Sequence, residues 1–273
     1  MITGGSSGIG YAIAERFLQE GASKVILVGR QLEKLQDASR RLSESMLGQA
    51  TYNGDGEIAT RAPEDDREVE ANPRVGFVVG DVSVANEWMS ELEKEMANVD
   101  ILINSAGISM PNLLSRTSTD NISQMLKINL EGSIYTCRAM LKACMRARLK
   151  RKNAPVNSKE TSNGNSPPVS KCIINISSLL ALKGVTGTVT YAASKAGLLG
   201  LTKTMAVEAG DVLKGNTPMI QDFSNDRVNA LRALIPINRF GHPEEVADAA
   251  VFLATNEYAN NCVLNLDGGL SAV

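Results

Sequence analysis

Apolar residues follow two rhythms along the chain: short, nearly continuous β-branched runs, and longer stretches at helical spacing. The runs are Lys24-Val-Ile-Leu-Val-Gly29, Val75-Gly-Phe-Val-Val-Gly80, Val99-Asp-Ile-Leu-Ile-Asn104 and Lys171-Cys-Ile-Ile-Asn-Ile176. Each reads as a buried strand. Between them, Tyr11 to Glu20 is an amphipathic helix ended by Gly21, and Gln31 to Leu47 is helical with Leu32, Leu35, Leu42 and Met46 among its apolar positions. Ile122 to Met145 and Tyr191 to Glu208 extend the pattern, so strands and helices alternate as in an α/β domain. Residues 48–73 and 146–170 lose this periodicity and predict disordered surface insertions. Both join a helix end to a strand start, which in a parallel sheet puts them opposite the ligand-binding edge.

At 273 residues the chain accommodates one large α/β domain. A net charge of −2 gives no reason to expect nucleic acid or an acidic membrane as partner. No apolar run approaches the roughly eighteen residues that span a bilayer. Cys137, Cys144, Cys172 and Cys262 are scattered without metal or disulfide spacing, and His242 is the one histidine. Hence no metal site and no Ser-His-Asp triad is expected, and a reducing compartment is. The expected location is soluble and intracellular, cytoplasm or mitochondrial matrix, because no targeting segment precedes the first motif and a shortened N-terminus leaves the matrix open.

Glycines at 4, 8 and 10 lie between a strand end and a helix start. They permit a tight turn and the approach of a pyrophosphate to backbone N–H groups, and Lys24 to Gly29 completes a strand–helix–strand unit. After that strand comes Arg30, a cation suited to the extra phosphate of NADP or, alternatively, a solvated residue opening the next helix. Asp81 suits the adenine ring or a helix cap through Trp88, and backbone near Gly107 suits close approach to a cofactor. Asn129, inside a helical pattern, signals a specific hydrogen bond. Tyr191 and Lys195, at i and i+4, share one helix face, where the ammonium stabilises the phenolate and brings proton exchange nearer neutral pH. Such a pair arises for roughly one Tyr in fifteen, so its weight comes from its company.

That company resembles the short-chain dehydrogenase/reductase family over nearly the whole chain. The matching motifs are Thr3-Gly4-Gly5-Ser6-Ser7-Gly8-Ile9-Gly10, Asp81-Val82, Asn104-x-Ala106-Gly107, Asn129, Ser178 and Tyr191-x-x-x-Lys195. Within the family, Ile235-Pro-Ile-Asn-Arg-Phe-Gly241, Pro243-Glu-Glu-Val246 and Leu264-Asn-Leu-Asp-Gly-Gly269 look most like 3-oxoacyl-(acyl carrier protein) reductases. The resemblance implies a Rossmann-like doubly wound parallel sheet in a single domain, and NADPH-dependent reduction of a 3-oxoacyl thioester in fatty acid synthesis. It implies Tyr191 as proton donor and Lys195 as the group that tunes it and bonds the nicotinamide ribose. Ser178 would hold the carbonyl oxygen, and Asn129 would support a water relay. Cofactor contacts would come from Gly4 to Gly10, Arg30, Asp81, Val82, Asn104, Ala106, Gly107, Tyr191, Lys195 and Thr217, the last holding the carboxamide. The resemblance also implies a homo-dimer or homo-tetramer built through the helices of Asn129 and Tyr191, where Ala192, Ala196, Gly197 and Gly200 form a small face for a partner or for the chain's own sheet. Alternatives are another short-chain alcohol dehydrogenase or carbonyl reductase, acting on a sugar or steroid with NAD, or a catalytically silent cofactor-binding subunit.

Two departures stand against the pattern. Only Met1-Ile-Thr3 remain of a first strand that typically has about six residues. After Glu208 the expected sixth strand is deleted, with Ala209-Gly-Asp-Val-Leu-Lys-Gly215 running straight to Asn216-Thr217. Arg227-Val-Asn-Ala imitates that strand but continues into a later helix. Two missing interior strand segments leave backbone groups unpaired, so impaired folding or activity is the expectation.

Overall fold

The computed structural model describes residues 1–49, 72–84, 88–153, 171–210, 213–220, 232–233 and 235–272. Its strands are β1 (Ile2–Thr3), β2 (Val25–Gly29), β3 (Val75–Val79), β4 (Ile101–Asn104), β5 (Lys171–Asn175), β6 (Ser177–Ser178), β7 (Leu213–Ile220) and β8 (Cys262–Asn265). The helices are α1 (Gly8–Gln19), α2 (Leu32–Gln49), α3 (Met89–Met96), α4 (Thr119–Leu126), α5 (Gly132–Asn153), α6 (Val189–Glu208) and α7 (Pro243–Thr255). A π-helical turn, Lys127–Glu131, joins α4 to α5.

All pairings are parallel, and β5 and β6 are one strand line interrupted at Ile176. The sheet therefore reads β3-β2-β1-β4-β5/β6-β7-β8. The period of two explains its layers. Leu102 and Ile173 face a cluster with Leu92, Met96 and Met140, whereas Ile103 and Ile174 face one with Ile13, Leu18 and Leu253. Helices α3, α5 and α6 thus cover one face and α1, α2 and α7 the other, the doubly wound arrangement the sequence implies.

The first strand is short, as expected, yet central: Ile2 pairs with Leu27 and Ile103, and Thr3 with Val28 and Asn104. The sixth strand is not deleted. Leu213–Ile220 fills its place as β7, with Lys171↔Leu213 to Ile174↔Asn216 on one side and Asn216↔Cys262 to Met219↔Asn265 on the other. Leu-Lys-Gly-Asn-Thr-Pro carries little strand propensity, and sheet context overrides that preference. Its inward polar groups find partners, as buried groups must. Lys214 Nζ donates to Ala254 O and Asn256 O at 3.2 and 2.9 Å, closing the C-terminus of α7. Asn216 Nδ2 donates to Leu253 O and Ala259 O, and its Oδ1 accepts from Cys262 N. Arg227 to Ala230 lie outside the described residues.

Helices run into the first residues of both expected insertions. Helix α2 runs to Gln49, and α5 runs through Arg146 to Asn153. Ala, Leu, Lys and Arg there are strong helix formers, and cations near a helix C-terminus complement its dipole. Glu93 on α3 holds Lys142 and Arg146 at 2.7 Å each. Residues 50–71 and 154–170, most of the two expected insertions, lie outside the described residues.

Candidate active site

Strand order reverses between β1 and β4, which opens a crevice at their carboxyl ends. The glycine loop leaves β1 into this crevice. Gly4 has φ +67°, and a Cβ there would stand 2.9 Å from Ala106 Cα. At Gly10 a Cβ would collide with Gly4 O, so the loop closes on itself only with glycine. Ser7 precedes α1 without a side-chain hydrogen bond to it, so the first turn's backbone N–H groups are uncapped by that residue. A cleft of about 350 Å³ follows, lined by Gly4, Ser6 to Gly10, Arg30, Lys34, Asp81, Val82, Ala106 and Gly107. A backbone cradle at the N-terminus of a twelve-residue helix, with cations at the far end, fits a dinucleotide.

Arg30 Nη1 lies 3.8 Å from Asp81 Oδ2, both partly exposed. Asp81 Oδ1 also accepts from Ser83 N and Oγ, and its carbonyl accepts the Trp88 indole N–H at 2.8 Å. The carboxylate therefore faces the cleft while fixing its own turn, and it does not cap α3.

A smaller cavity of about 80 Å³ shares Ile9, Ser105, Gly107 and Ile108 with the cleft and is further lined by Ile176, Ser177, Tyr191 and Lys195. Lys195 Nζ stands 5.8 Å from the Tyr191 ring centroid and donates to Ile176 O at 2.9 Å, at the break between β5 and β6. Both side chains are buried. A Cβ on Gly107 would be 3.3 Å from Lys195 Nζ and 3.4 Å from Asn129 Oδ1, so a side chain there would press on both groups. Asn129 sits in the π-helical turn, fully buried. Its Oδ1 accepts from Ile108 N at 2.8 Å, and its Nδ2 donates to Ile108 O at 2.9 Å and Ser194 Oγ at 3.1 Å. Ser178 precedes a 3₁₀ turn, its Oγ accepting from Leu180 N at 3.2 Å, which leaves the hydroxyl proton to donate.

Three sequence-expected cofactor residues lie elsewhere. Gly5 packs under the loop against Leu27. Asn104 turns inward, donating to Asn175 Oδ1 at 2.8 Å and accepting from Thr136 Oγ1 at 2.7 Å. Thr217 is fully buried within β7, 2.7 Å from Thr202 Oγ1, because its register beside β5 points it under α6 and away from the cleft. Sequence reasoning missed Lys34 on the cleft wall and two hydroxyls that tie α6 to its neighbours: Ser177 Oγ donates to Lys195 O at 2.9 Å, and Ser194 Oγ accepts from Asn129 Nδ2 at 3.1 Å while donating within the helix to Tyr191 O at 2.7 Å. Ser194, three residues after Tyr191, carried a helical-spacing signal. Burial pushes the Cys137 thiol up to about 12 and the Cys172 thiol up to about 11, which takes both out of thiolate chemistry. Among the described residues no cluster of His, Cys, Asp or Glu could hold a metal, and no helix is long and apolar enough to cross a membrane.

Comparison with known proteins agrees with this layout. A family model described as short chain dehydrogenase matches residues 1–63 and 57–156, and one described as enoyl-(acyl carrier protein) reductase matches residues 162–271. The 3-oxoacyl-[acyl-carrier-protein] reductase of Chlamydia muridarum is 31% identical over 99% of this chain and 96% of its own length. Carbonyl reductase family member 4 of Xenopus laevis is 32% identical over 98% of this chain and 96% of its own. A solved structure from Beutenbergia cavernae, provisionally assigned as an NAD(P)-dependent gluconate 5-dehydrogenase, has NADP bound at low occupancy. It superposes with a TM-score of 0.75 at 25% identity, covering 100% of this chain and 96% of that one. The chain belongs to the short chain dehydrogenase family of NAD(P)-dependent oxidoreductases.

Proposed function

We propose that this oxidoreductase reduces 3-oxoacyl thioesters, carried on acyl carrier protein, to their 3-hydroxy forms with NADPH, in fatty acid synthesis. The observation that carries the reading is the Tyr191–Lys195 pair at 5.8 Å, lining a cavity that shares Gly107 with the glycine-loop cleft. The loop Gly4 to Gly10 holds the dinucleotide phosphates, Val82, Ala106 and Gly107 wall the cleft, and Arg30 takes the additional phosphate while Asp81 orders the turn beside it. The bound nicotinamide supplies the hydride. Tyr191 gives its phenolic proton to the carbonyl oxygen as negative charge develops there, and the Lys195 cation stabilises the phenolate left behind. Ser178 donates its hydroxyl proton to the same oxygen. Asn129, which clamps the Ile108 backbone beside Lys195, supports the water path that returns a proton.

Acyl carrier protein is the carrier named for the 3-oxoacyl-[acyl-carrier-protein] reductases that are 31% identical to this chain, and it is proposed here on that similarity. The decisive assay follows absorbance at 340 nm with NADPH and a short 3-oxoacyl thioester, beside sugar, steroid and simple alcohol substrates with NAD. Turnover of the thioester with NADPH is expected; a well-folded protein that turns over no carbonyl rejects the reading. A second reading, a cofactor-binding subunit without turnover, rests on the burial of Thr217 away from the cleft. Calorimetry that finds NADPH binding without turnover selects it. Assembly as a dimer or tetramer would use α5 and α6, where Gly200 is open on the surface while Gly197 already packs against Leu130 of its own chain. Light scattering at assay concentration measures that state.

A further inference from the structure

Helix α6 carries Tyr191, Lys195 and Thr202 at spacings of four and seven residues, which at about 100° per residue line up on one stripe. Thr202 is fully buried and lies two turns beyond Lys195. Three polar atoms surround its Oγ1: Leu198 O at 2.8 Å, Asn175 Nδ2 at 2.9 Å and Thr217 Oγ1 at 2.7 Å. A hydroxyl has one proton and two lone pairs. Thr202 therefore donates to Leu198 O and accepts from both the Asn175 amide and the Thr217 hydroxyl, which uses every site it has. The chain of bonds continues outward. Asn175 Oδ1 accepts from Asn104 Nδ2 at 2.8 Å, and Asn104 Oδ1 accepts from Thr136 Oγ1 at 2.7 Å. This buried ladder crosses β7, β5 and β4 and joins α6 to α5, the helix that continues from Asn129. None of Thr202, Asn175 or Thr136 lines the cleft or the smaller cavity.

We propose that Thr202 is a positioning residue: its hydroxyl seats α6 on the sheet and so fixes where Tyr191 and Lys195 stand relative to the β5–β6 break and Gly107. The inference rests on the proton-transfer roles proposed above. A side chain of the same shape without the hydroxyl leaves the Asn175 amide and the Thr217 hydroxyl facing a methyl group in a buried site. Such groups cannot stay unpaired cheaply, so the ladder re-forms without α6 and the helix shifts. Lys195 Nζ is held by Ile176 O and does not follow the helix freely, so the ammonium–phenol separation changes.

The test compares Thr202→Val and Thr202→Ser in the full chain. Two readouts are needed: kcat and KM across pH, and ultraviolet titration of the phenolate, each taken as the difference from the matching Tyr191→Phe variant. Thr202→Val is expected to lower kcat roughly tenfold or more while leaving KM for NADPH within about twofold. The alkaline limb of kcat and the phenolate titration both move upward, by about one pH unit, as the cation's hold on the phenolate weakens. Thr202→Ser, which restores the hydroxyl, returns both to near wild type. A folded Thr202→Val protein with unchanged kcat and titration overturns the proposal, and so does a Ser variant no better than Val. Should the wild type turn over no carbonyl, the functional reading fails while the phenolate titration still decides the positioning role. Should Thr202→Val not fold, Thr217→Val removes one of the three bonds and is expected to move the titration the same way by less; an unmoved titration there counts against the proposal.

Discussion

Asn216 gives the sharpest check on the strand that the sequence hides. In the structure it is fully buried in the middle of β7 and makes three bonds to backbone: Nδ2 to Leu253 O at 3.3 Å, Nδ2 to Ala259 O at 3.0 Å, and Oδ1 from Cys262 N at 3.1 Å. These tie the central sheet to the end of α7 and to the start of β8. Asn216→Ala removes all three at once. Each buried backbone group left without a partner costs about 1–3 kcal/mol, so the sum is roughly 3–6 kcal/mol once partial relaxation is allowed. That is a large share of a total stability of about 5–15 kcal/mol. For a domain of this size, at about 2–4 °C per kcal/mol, it corresponds to a fall in Tm of about 6–24 °C. Urea denaturation followed by circular dichroism reads the difference directly as a lower midpoint with unchanged slope. Were Leu213 to Ile220 an exposed connection outside the sheet, the same substitution would move stability by no more than about 0.5 kcal/mol. A change that small refutes the placement of β7.

Three further outcomes follow from the geometry. Gly10→Ala puts a methyl group into Gly4 O, so the loop cannot close and NADPH affinity, measured by fluorescence quenching, falls by at least about tenfold, or 1.4 kcal/mol. Arg30→Asp removes the cation 3.8 Å from Asp81 and places like charges together at the cleft rim, so the ratio of NADPH to NADH affinity drops and NADH becomes the better ligand in the same titration. Glu245 is held down at about 2 by Arg239, which grips both its oxygens, and by the His242 backbone N–H. A depressed carboxylate contributes stability that is present above its ordinary value of 4.5 and lost as pH falls through about 2. Thermal melts of Glu245→Gln should therefore lose part of the wild-type slope across that window; identical slopes contradict the assignment.

Legibility from sequence tracked how local each signal was. The strands β2, β4 and β5 announce themselves because both faces are largely buried and their β-branched runs are nearly continuous, whereas β3 is legible from its apolar run although Phe77 and Val79 are exposed at the sheet edge. Tyr191 and Lys195 were readable because helical spacing alone brings them together. β7 was not readable: Gly215, Asn216 and Pro218 carry no strand signal, and only the register between β5 and β8 makes them one. The same register explains Thr217, which chain order assigns to the cofactor but which the pairing with β5 turns under α6. Asn104 and Asn175 look like ordinary strand ends, yet their amides meet only after two strands and a crossover are in place. The basic run after Met145 reads as unstructured because its charges hide good helix formers, and the pairing of Arg146 with Glu93 is a contact across fifty-three residues.

The proton-donor role of Tyr191 is tested most directly by pairing turnover with binding in one variant. Tyr191→Phe, which keeps the ring and removes the hydroxyl, should bind NADPH within about twofold of wild type and lose a factor of roughly 10²–10⁴ in thioester-dependent NADPH oxidation. Wild-type turnover by that variant would contradict the account.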